Sequence, residues 1–201
     1  MNQYSHPVPH LPPLTVFDTE TTGLDPRRGH RIVEIAGVRV ENGEIRKDAT
    51  FVSYVNPERA IPFEAKQINR ISDEDVAAAP RIETVLPQFL DFARGSILVA
   101  HNAAFDMSFL EVEKEFCWGY VELPECLCSL RLSQSLYPHE FRNNLDVLCA
   151  RLGVAITPGR HRALDDAILA AEAILKMVDA GKISSIDELR KRAGMKMMVR
   201  K

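Results

Sequence analysis

The chain is expected to fold as one α/β domain, a mixed sheet covered by helices on both faces, because strands come first and then alternate with helices. Three observations carry this expectation. Two β-branched runs flank Asn42-Gly43, a short apolar run from Ile97 to Ala100 lies between helical patterns, and an alanine-rich helical pattern begins at Ala163. At 201 residues one core buries most of the apolar surface without disulfides or structural metal.

Residues 1–13 are rich in proline, carry His6 and His10, lack periodicity and read as a flexible arm. Leu14 to Glu20 is an apolar run ending in Asp-Thr-Glu, the form of a buried strand with a polar tip. Ile32 to Val40 is a second strand, Asn42-Gly43 a hairpin turn and Ile45 to Val55 the returning strand, which together make an antiparallel meander closed by Pro57. Ser72-Asp-Glu-Asp has the form of a helix start, and Ile82 to Phe92 keeps helical spacing up to a stop at Gly95. After the buried strand Ile97 to Ala100, Phe105 to Phe116 reads as a helix with Phe105, Phe109, Leu110 and Val112 on its inner face.

Leu130 to Leu136, Asn144 to Leu152 and Ala163 to Val178 are further helices, and Ser185-Ile-Asp-Glu caps a short last one. The expected organisation is an arm over 1–13, a main domain over 14–180, and a short helix with a basic tail over 181–201. That tail, from Arg190 to Lys201, reads as a solvated helix end, with backbone affinity or partner docking as the alternative.

Hydrophobic residues make up 46% and charged residues 26% of the chain, which excludes a disordered or fibrous protein. No apolar run is long enough for a membrane span and the start lacks a signal-peptide pattern, so a cytoplasmic protein without membrane contact is expected. Cysteines 117, 126, 128 and 149 have no zinc-ligand spacing and read as reduced, buried thiols. The formal net charge is −3, whereas a protein gripping long duplex over a broad face is normally basic. A nucleic-acid substrate must then be held locally, by a few contacts and by cations.

Alternate side chains of a strand share a face, so Asp18 and Glu20 project the same way, ~7 Å apart along the backbone, while Thr19 points oppositely. Two adjacent carboxylates repel and lose hydration, a cost that a bound divalent cation removes. Taken alone the pair fits a solvated strand end equally well. His101-Asn-Ala-Ala-Phe-Asp106 follows a buried strand and opens a helix, and His161-Arg-Ala-Leu-Asp-Asp166 opens the alanine-rich helix. Both are places where ligands meet strand ends and helix N-termini. Asp165 and Asp166 diverge by about 100° on a helix, so only one of them can join a cluster.

These segments together resemble the DEDDh exonucleases, the family that includes the ε proofreading subunit of bacterial DNA polymerase III. VFDTETTGL is similar to the first motif of that family, VAHNAAFDMSFL to the second and HRALDDA to the third, in the same order, and NNLDVLCARLGV adds to the likeness. The resemblance runs from about Leu14 to Val178. It implies a ribonuclease H-like fold with a five-stranded mixed sheet and an exonuclease domain over 14–180. It implies two Mg²⁺ or Mn²⁺ ions, with Asp18 bridging both, Glu20 and Asp166 completing the first site and Asp106 holding the second. Family spacing selects Asp166 over Asp165, which is then a helix N-terminal charge. His161 would be the general base, since an imidazole accepts a proton near neutral pH.

The same resemblance places the terminal nucleotide against Thr21, Thr22, Gly23 and Leu24, with Asn102 and Phe105 nearby. For Leu24 and Phe105 core packing is the equal alternative, and for His101 a structural hydrogen bond competes with a substrate contact. One departure stands out. Relatives carry a His-Gly-Ile segment where this chain has Asn69-Arg70-Ile71, with Arg70 either solvated or at a phosphate.

The function implied is 3′-to-5′ hydrolysis of DNA phosphodiester bonds by two metal ions, releasing nucleoside monophosphates from single-stranded or frayed 3′ ends, in proofreading or repair. An exoribonuclease of the same family is the first alternative and a non-catalytic, polymerase-associated nucleic-acid-binding module the second. About twenty residues follow Gly181, without an evident clamp-binding motif, so a polymerase subunit and a free-standing enzyme both stay open.

Overall fold

Asn42 and Gly43 both take left-handed backbone angles, φ 53° and 77°, and this two-residue turn matches the twist of the strands it joins. It links β2 (Ile32–Glu41) to β3 (Glu44–Tyr54), and β1 (Leu14–Thr21) pairs antiparallel with the other edge of β2. β4 (Ile97–Ala100) lies parallel to β1, and β5 (Cys126–Cys128) parallel to β4, giving the order β3-β2-β1-β4-β5. This computed structural model describes residues 11–118, 121–156 and 162–195. The five-stranded mixed sheet is the one expected.

The pleat sorts side chains onto two faces. Leu14 and Val16 of β1, Val38 and Val40 of β2, Val99 of β4 and Leu127 of β5 enter one core with α7 (Ala163–Ala180). α5 (Ser129–Leu136), α6 (Leu145–Leu152) and α8 (Ile186–Ala193) complete that layer through Leu132, Leu148, Leu189 and Ala193. Phe17, Ile35, Leu98, Cys126 and Cys128 enter the opposite core with α3 (Ile82–Phe92) and α4 (Ala103–Glu113). A smaller cluster gathers Val33, Ile61, Ala65, Ile71 and Val76 under α1 (Phe63–Asn69) and α2 (Asp73–Ala77). Alanines 163, 167, 170, 171 and 173 are all buried, so α7 meets β1 and β2 at the close distance that small side chains permit.

Several elements differ from the expectation. α1 carries no strong periodic signal, and no helix is expected there from the sequence. β5 has only three residues, too short for a period-two pattern to register. α4 starts at Ala103 and yields to a 3₁₀ turn at Lys114. Its inner face uses Asp106, Met107, Phe109, Leu110 and Glu113, with Phe105 and Val112 only half-buried. Glu113 replaces Val112 there because Arg31 neutralises it, through Nε at 3.0 Å and Nη2 at 2.9 Å, and Ile32 N–H adds a third bond at 3.1 Å.

The arm expected over 1–13 lies mostly outside the described residues, and where the chain enters them Leu11 already packs on the core and the Pro13 carbonyl accepts from Ile97 N–H at 3.0 Å. Within the basic C-terminal stretch Arg190 pairs with Glu125 and Asp187, and Arg192 with Glu188. All four cysteines are free and buried, as expected. Among the described residues no helix is long and apolar enough to cross a membrane.

Candidate active site

Strand parity builds the site. Asp18 and Glu20 continue the Leu14–Val16 face of β1, so they point toward α7, while Thr19 points toward α4. The register shifts by one residue between Glu20 and Thr21, directly after the carboxylate pair, an irregularity common beside functional sites. α7 arrives with its first turn at this edge and brings Asp166. One carboxylate oxygen from each of Asp18, Glu20 and Asp166 can be chosen so that all three lie within 4.8 Å of one another.

Asp106 comes from the other face. It is 2% exposed, lies in the first turn of α4, and accepts a hydrogen bond from Thr19 Oγ1 at 2.7 Å. The residue that points away from the strand pair thus ties down the fourth carboxylate. Asn102 opens α4 in a left-handed conformation, φ 64°, and stays exposed.

Burial and mutual repulsion act on all these acids. Desolvation first, then the charges of Asp106, Glu20 and Asp166, hold the Asp18 carboxyl well above the usual range. The Glu20 carboxyl is pushed up to about 8 by burial and by Asp166, Glu34 and Asp106, with Arg162 opposing. Burial pushes Asp106 up to about 7 against the Thr19 hydrogen bond. An all-oxygen donor set that repels itself when ionised is the chemistry a hard divalent cation satisfies, so these residues fit such an ion.

Two buried glutamates that were not singled out from the sequence hold the frame. Glu34, opposite Glu20 in the β1–β2 register and 1% exposed, accepts from Arg162 Nη2 at 2.6 Å and Nε at 3.2 Å, and from Ala163 N–H at 3.0 Å. It caps α7 from the sheet, since Arg162 at the N-cap position makes no side-chain cap. Arg162 also lies 5.1 Å over the Tyr54 ring, and Tyr54 is the neighbour of Glu34 on β3. A signal was present: Glu34 interrupts the apolar run Ile32 to Val38 on the inward parity of Ala36 and Val38. Glu113 does the equivalent work for the chain entering β2.

In the segment after the carboxylates, Thr21 Oγ1 donates to the Gly23 carbonyl at 2.7 Å, and Thr22 Oγ1 accepts from Arg31 N–H at 2.9 Å. Both threonine side chains shape the loop. Gly23 leaves room for the His30 ring, which a Cβ would strike. Leu24 is 82% exposed, which removes core packing as its role. Phe105 is half-buried against Phe109, ring centroids 5.1 Å apart.

Both ring nitrogens of His101 meet protein atoms, Nδ1 at 2.9 Å from Ser129 Oγ and Nε2 at 2.9 Å from the Asn143 carbonyl, so the structural alternative accounts for it. Asn69 is buried, donates to the Thr21 carbonyl at 3.3 Å and accepts from Ile71 N–H at 3.0 Å, while Arg70 is exposed. The departure from the family segment therefore buttresses the loop from beneath. His161 lies outside the described residues.

A ribonuclease H-like sheet whose first strand and two helix starts converge on a carboxylate cluster defines a metal-dependent phosphodiester hydrolase. The chain belongs to the RNase_T exonuclease family, whose profile matches residues 15–174. It is 41% identical over 169 residues to the DNA polymerase III subunit epsilon of Rickettsia conorii, covering 81% of this chain and 72% of the relative. The subunit of the same name from Escherichia coli K12 is 36% identical over 171 residues, covering 81% and 70%. Among solved structures, exonuclease X in complex with 5′ overhanging duplex DNA superposes with a TM-score of 0.72 at 30% identity, covering 90% of this chain and 99% of that one. The nuclease domain of 3′hExo, a DEDDh family member bound to rAMP, shares the fold with a TM-score of 0.76 at 21% identity, covering 92% and 97%. The protein is a metal-dependent 3′-to-5′ exonuclease, and its substrate is a nucleic acid.

Proposed function

We propose that this exonuclease removes nucleoside monophosphates one at a time from single-stranded or frayed 3′ ends of DNA, in proofreading or repair. The observation that carries the reading is the approach of Asp18, Glu20 and Asp166 within 4.8 Å, with Asp106 tied to the same strand by Thr19. DNA is favoured over RNA because relatives above 35% identity carry the name of a DNA polymerase subunit and a structure at 30% identity holds DNA. Cytoplasmic work beside a DNA polymerase belongs to the same reading.

Asp18, Glu20, Asp166 and Asp106 would hold the two divalent cations, Mg²⁺ or Mn²⁺, of this reading. When bound they supply Lewis-acid stabilisation of the charge that develops on the phosphate oxygens. Thr19 keeps the Asp106 carboxylate aimed at the cluster. His161 takes the proton of the attacking water, a task suited to an imidazole near neutral pH.

The Thr21 to Gly23 turn carries Leu24 outward, where its exposed side chain wedges against the terminal base, and Phe105 with Asn102 lines the other side of that nucleotide. A pocket for one unpaired nucleotide favours mismatched ends, which fray at lower cost.

The test compares 5′-labelled single-stranded DNA, mismatched-end DNA and RNA with Mg²⁺ or Mn²⁺, alongside Asp18→Ala and His161→Ala. A ladder shortening from the 3′ end, suppressed by chelator and by both substitutions, is the expected result. Digestion of RNA alone would reject the substrate assignment.

A further inference from the structure

The segment from Tyr137 to Asn144 joins α5 to α6 without regular structure, yet it is held from several sides. Buried Asn143 accepts at Oδ1 from Ser133 Oγ at 2.6 Å and Arg151 Nη1 at 2.9 Å, and its Nδ2 donates to the Glu140 carbonyl at 2.9 Å. Arg151 also reaches the Arg142 carbonyl at 2.9 Å and the Glu140 carboxylate at 3.1 Å, with its guanidinium 5.1 Å over the Tyr137 ring. His101 closes the brace, linking the Asn143 carbonyl to Ser129.

The side chains at the tip of this braced loop face outward. Phe141 is 102% exposed, and His139 and Arg142 are exposed beside it. A fully exposed aromatic ring on a rigidly held backbone contributes nothing to folding, but it is preorganised for contact with something outside. Its location narrows what that is. His101 directly precedes Asn102, which opens α4, so the brace anchors the loop beside the turn that carries Asp106.

We infer that Phe141 and Arg142 form a second contact for the substrate strand, on nucleotides upstream of the 3′-terminal one, and that His101 is the positioning residue that holds this tip beside the site. The ligand follows from charge and shape. In a chain of net charge −3 a polyanion must be met by local cations, and a ring beside a guanidinium suits an unpaired base and its phosphate. The Glu140 carboxylate, the acid on the loop, is neutralised by Arg151. The inference rests on the reading of this chain as an enzyme of nucleic-acid ends only for the nature of the ligand.

The test measures binding and hydrolysis separately. Binding is read by anisotropy with labelled phosphorothioate dT20, which resists cleavage. Hydrolysis is read with ordinary dT20 and with the 4-nitrophenyl ester of thymidine 5′-monophosphate, which has no upstream nucleotide. Phe141→Ala with Arg142→Ala should raise the Kd for phosphorothioate dT20 by about tenfold and the KM for dT20 similarly, and leave kcat/KM for the ester unchanged. His101→Ala should raise the same Kd and add little in the background of the tip variant, because the two act as one unit.

A Kd that moves by less than about twofold in the tip variant overturns the inference, and directs the exposed ring to a protein partner. Loss of ester hydrolysis in step with dT20 overturns it equally, since it would mean that the loop only supports the fold. The Kd comparison decides the tip even if the wild type cuts neither substrate, a result that would sink the exonuclease reading alone.

Discussion

Glu20 and Glu34 stand opposite each other across the β1–β2 ladder, and the same residue type serves opposite purposes at the two positions. Glu34 is buried, ion-paired to Arg162 and bonded to the first amide of α7. Glu20 faces Asp18 and Asp166, and the Glu34 charge raises its carboxyl further. One glutamate fixes the helix that delivers Asp166, and the other joins Asp166 at the site.

That division of labour predicts the behaviour of Glu34→Ala. Removing the acid leaves Ala163 N–H without its partner and Arg162 uncompensated. The loss of stability should be roughly 2–3 kcal/mol, less than the ~3–5 kcal/mol of a fully buried broken pair, since Arg162 is 42% exposed and can turn to water. Urea unfolding measures it. Mn²⁺ affinity should fall as well, because the start of α7 is released; an unchanged affinity would show that Glu34 does not position Asp166.

Metal-free stability should depend on pH with a definite sign. The Glu20 carboxyl at about 8 lies above its unfolded value of ~4.3, so the folded state holds a proton that the unfolded state has released. Stability is then lost as pH rises from about 4 to about 8, and the loss is complete above that window. In the presence of chelator the wild type should lose on the order of 5 °C more in Tm than Glu20→Gln between about pH 5 and about pH 8.5. Parallel curves for the two proteins would refute this.

Divalent cations should reverse the effect, since they bind the ionised cluster and stabilise the fold by mass action. Mn²⁺ or Mg²⁺ should raise Tm more at about pH 8 than at about pH 5, where protons compete. Asp18→Asn should remove most of the increment, and Asp106→Asn a smaller part. Calorimetric scans with and without the ion distinguish these cases.

His161→Ala separates chemistry from metal binding. It should keep the cation-dependent rise in Tm and yet lose at least about 100-fold in kcat, the scale of a missing general base. Loss of the Tm increment would make His161 a structural or ligating group.

At Gly23 a methyl group would strike the His30 ring, which lies 3.3 Å from Thr22 Oγ1 through Nδ1. Gly23→Ala should therefore cost about 1–2 kcal/mol in stability, as overpacking does. It should also raise KM for single-stranded DNA more than it lowers kcat, because the displaced turn carries Leu24.

Much of this architecture was legible in the residues. β4 over Ile97 to Ala100, the Asn42-Gly43 turn, the Ser72 and Ser185 caps and the long Ala163 helix all appear where local chemistry places them. These are signals of short range, in which a cap, a turn or a period is complete within a few neighbours. β5 is not legible, because three residues at the sheet edge draw their strand character from β4, distant in the chain, and not from themselves. Glu113 and Glu34 are likewise not legible, since a glutamate in a helix or strand reads as solvated until its arginine is known.

The sequence by itself determined which acids face together on β1, the order of the three acidic segments and where β1 and α7 begin, because period and capping are properties of contiguous chain. Only the tertiary structure decided that Asp166 meets Asp18 and Glu20, that Thr19 holds Asp106, and that His101 braces a loop. Those outcomes depend on how α4 and α7 cross the sheet edge, which is settled by packing of small residues and by buried ion pairs between positions far apart in the chain.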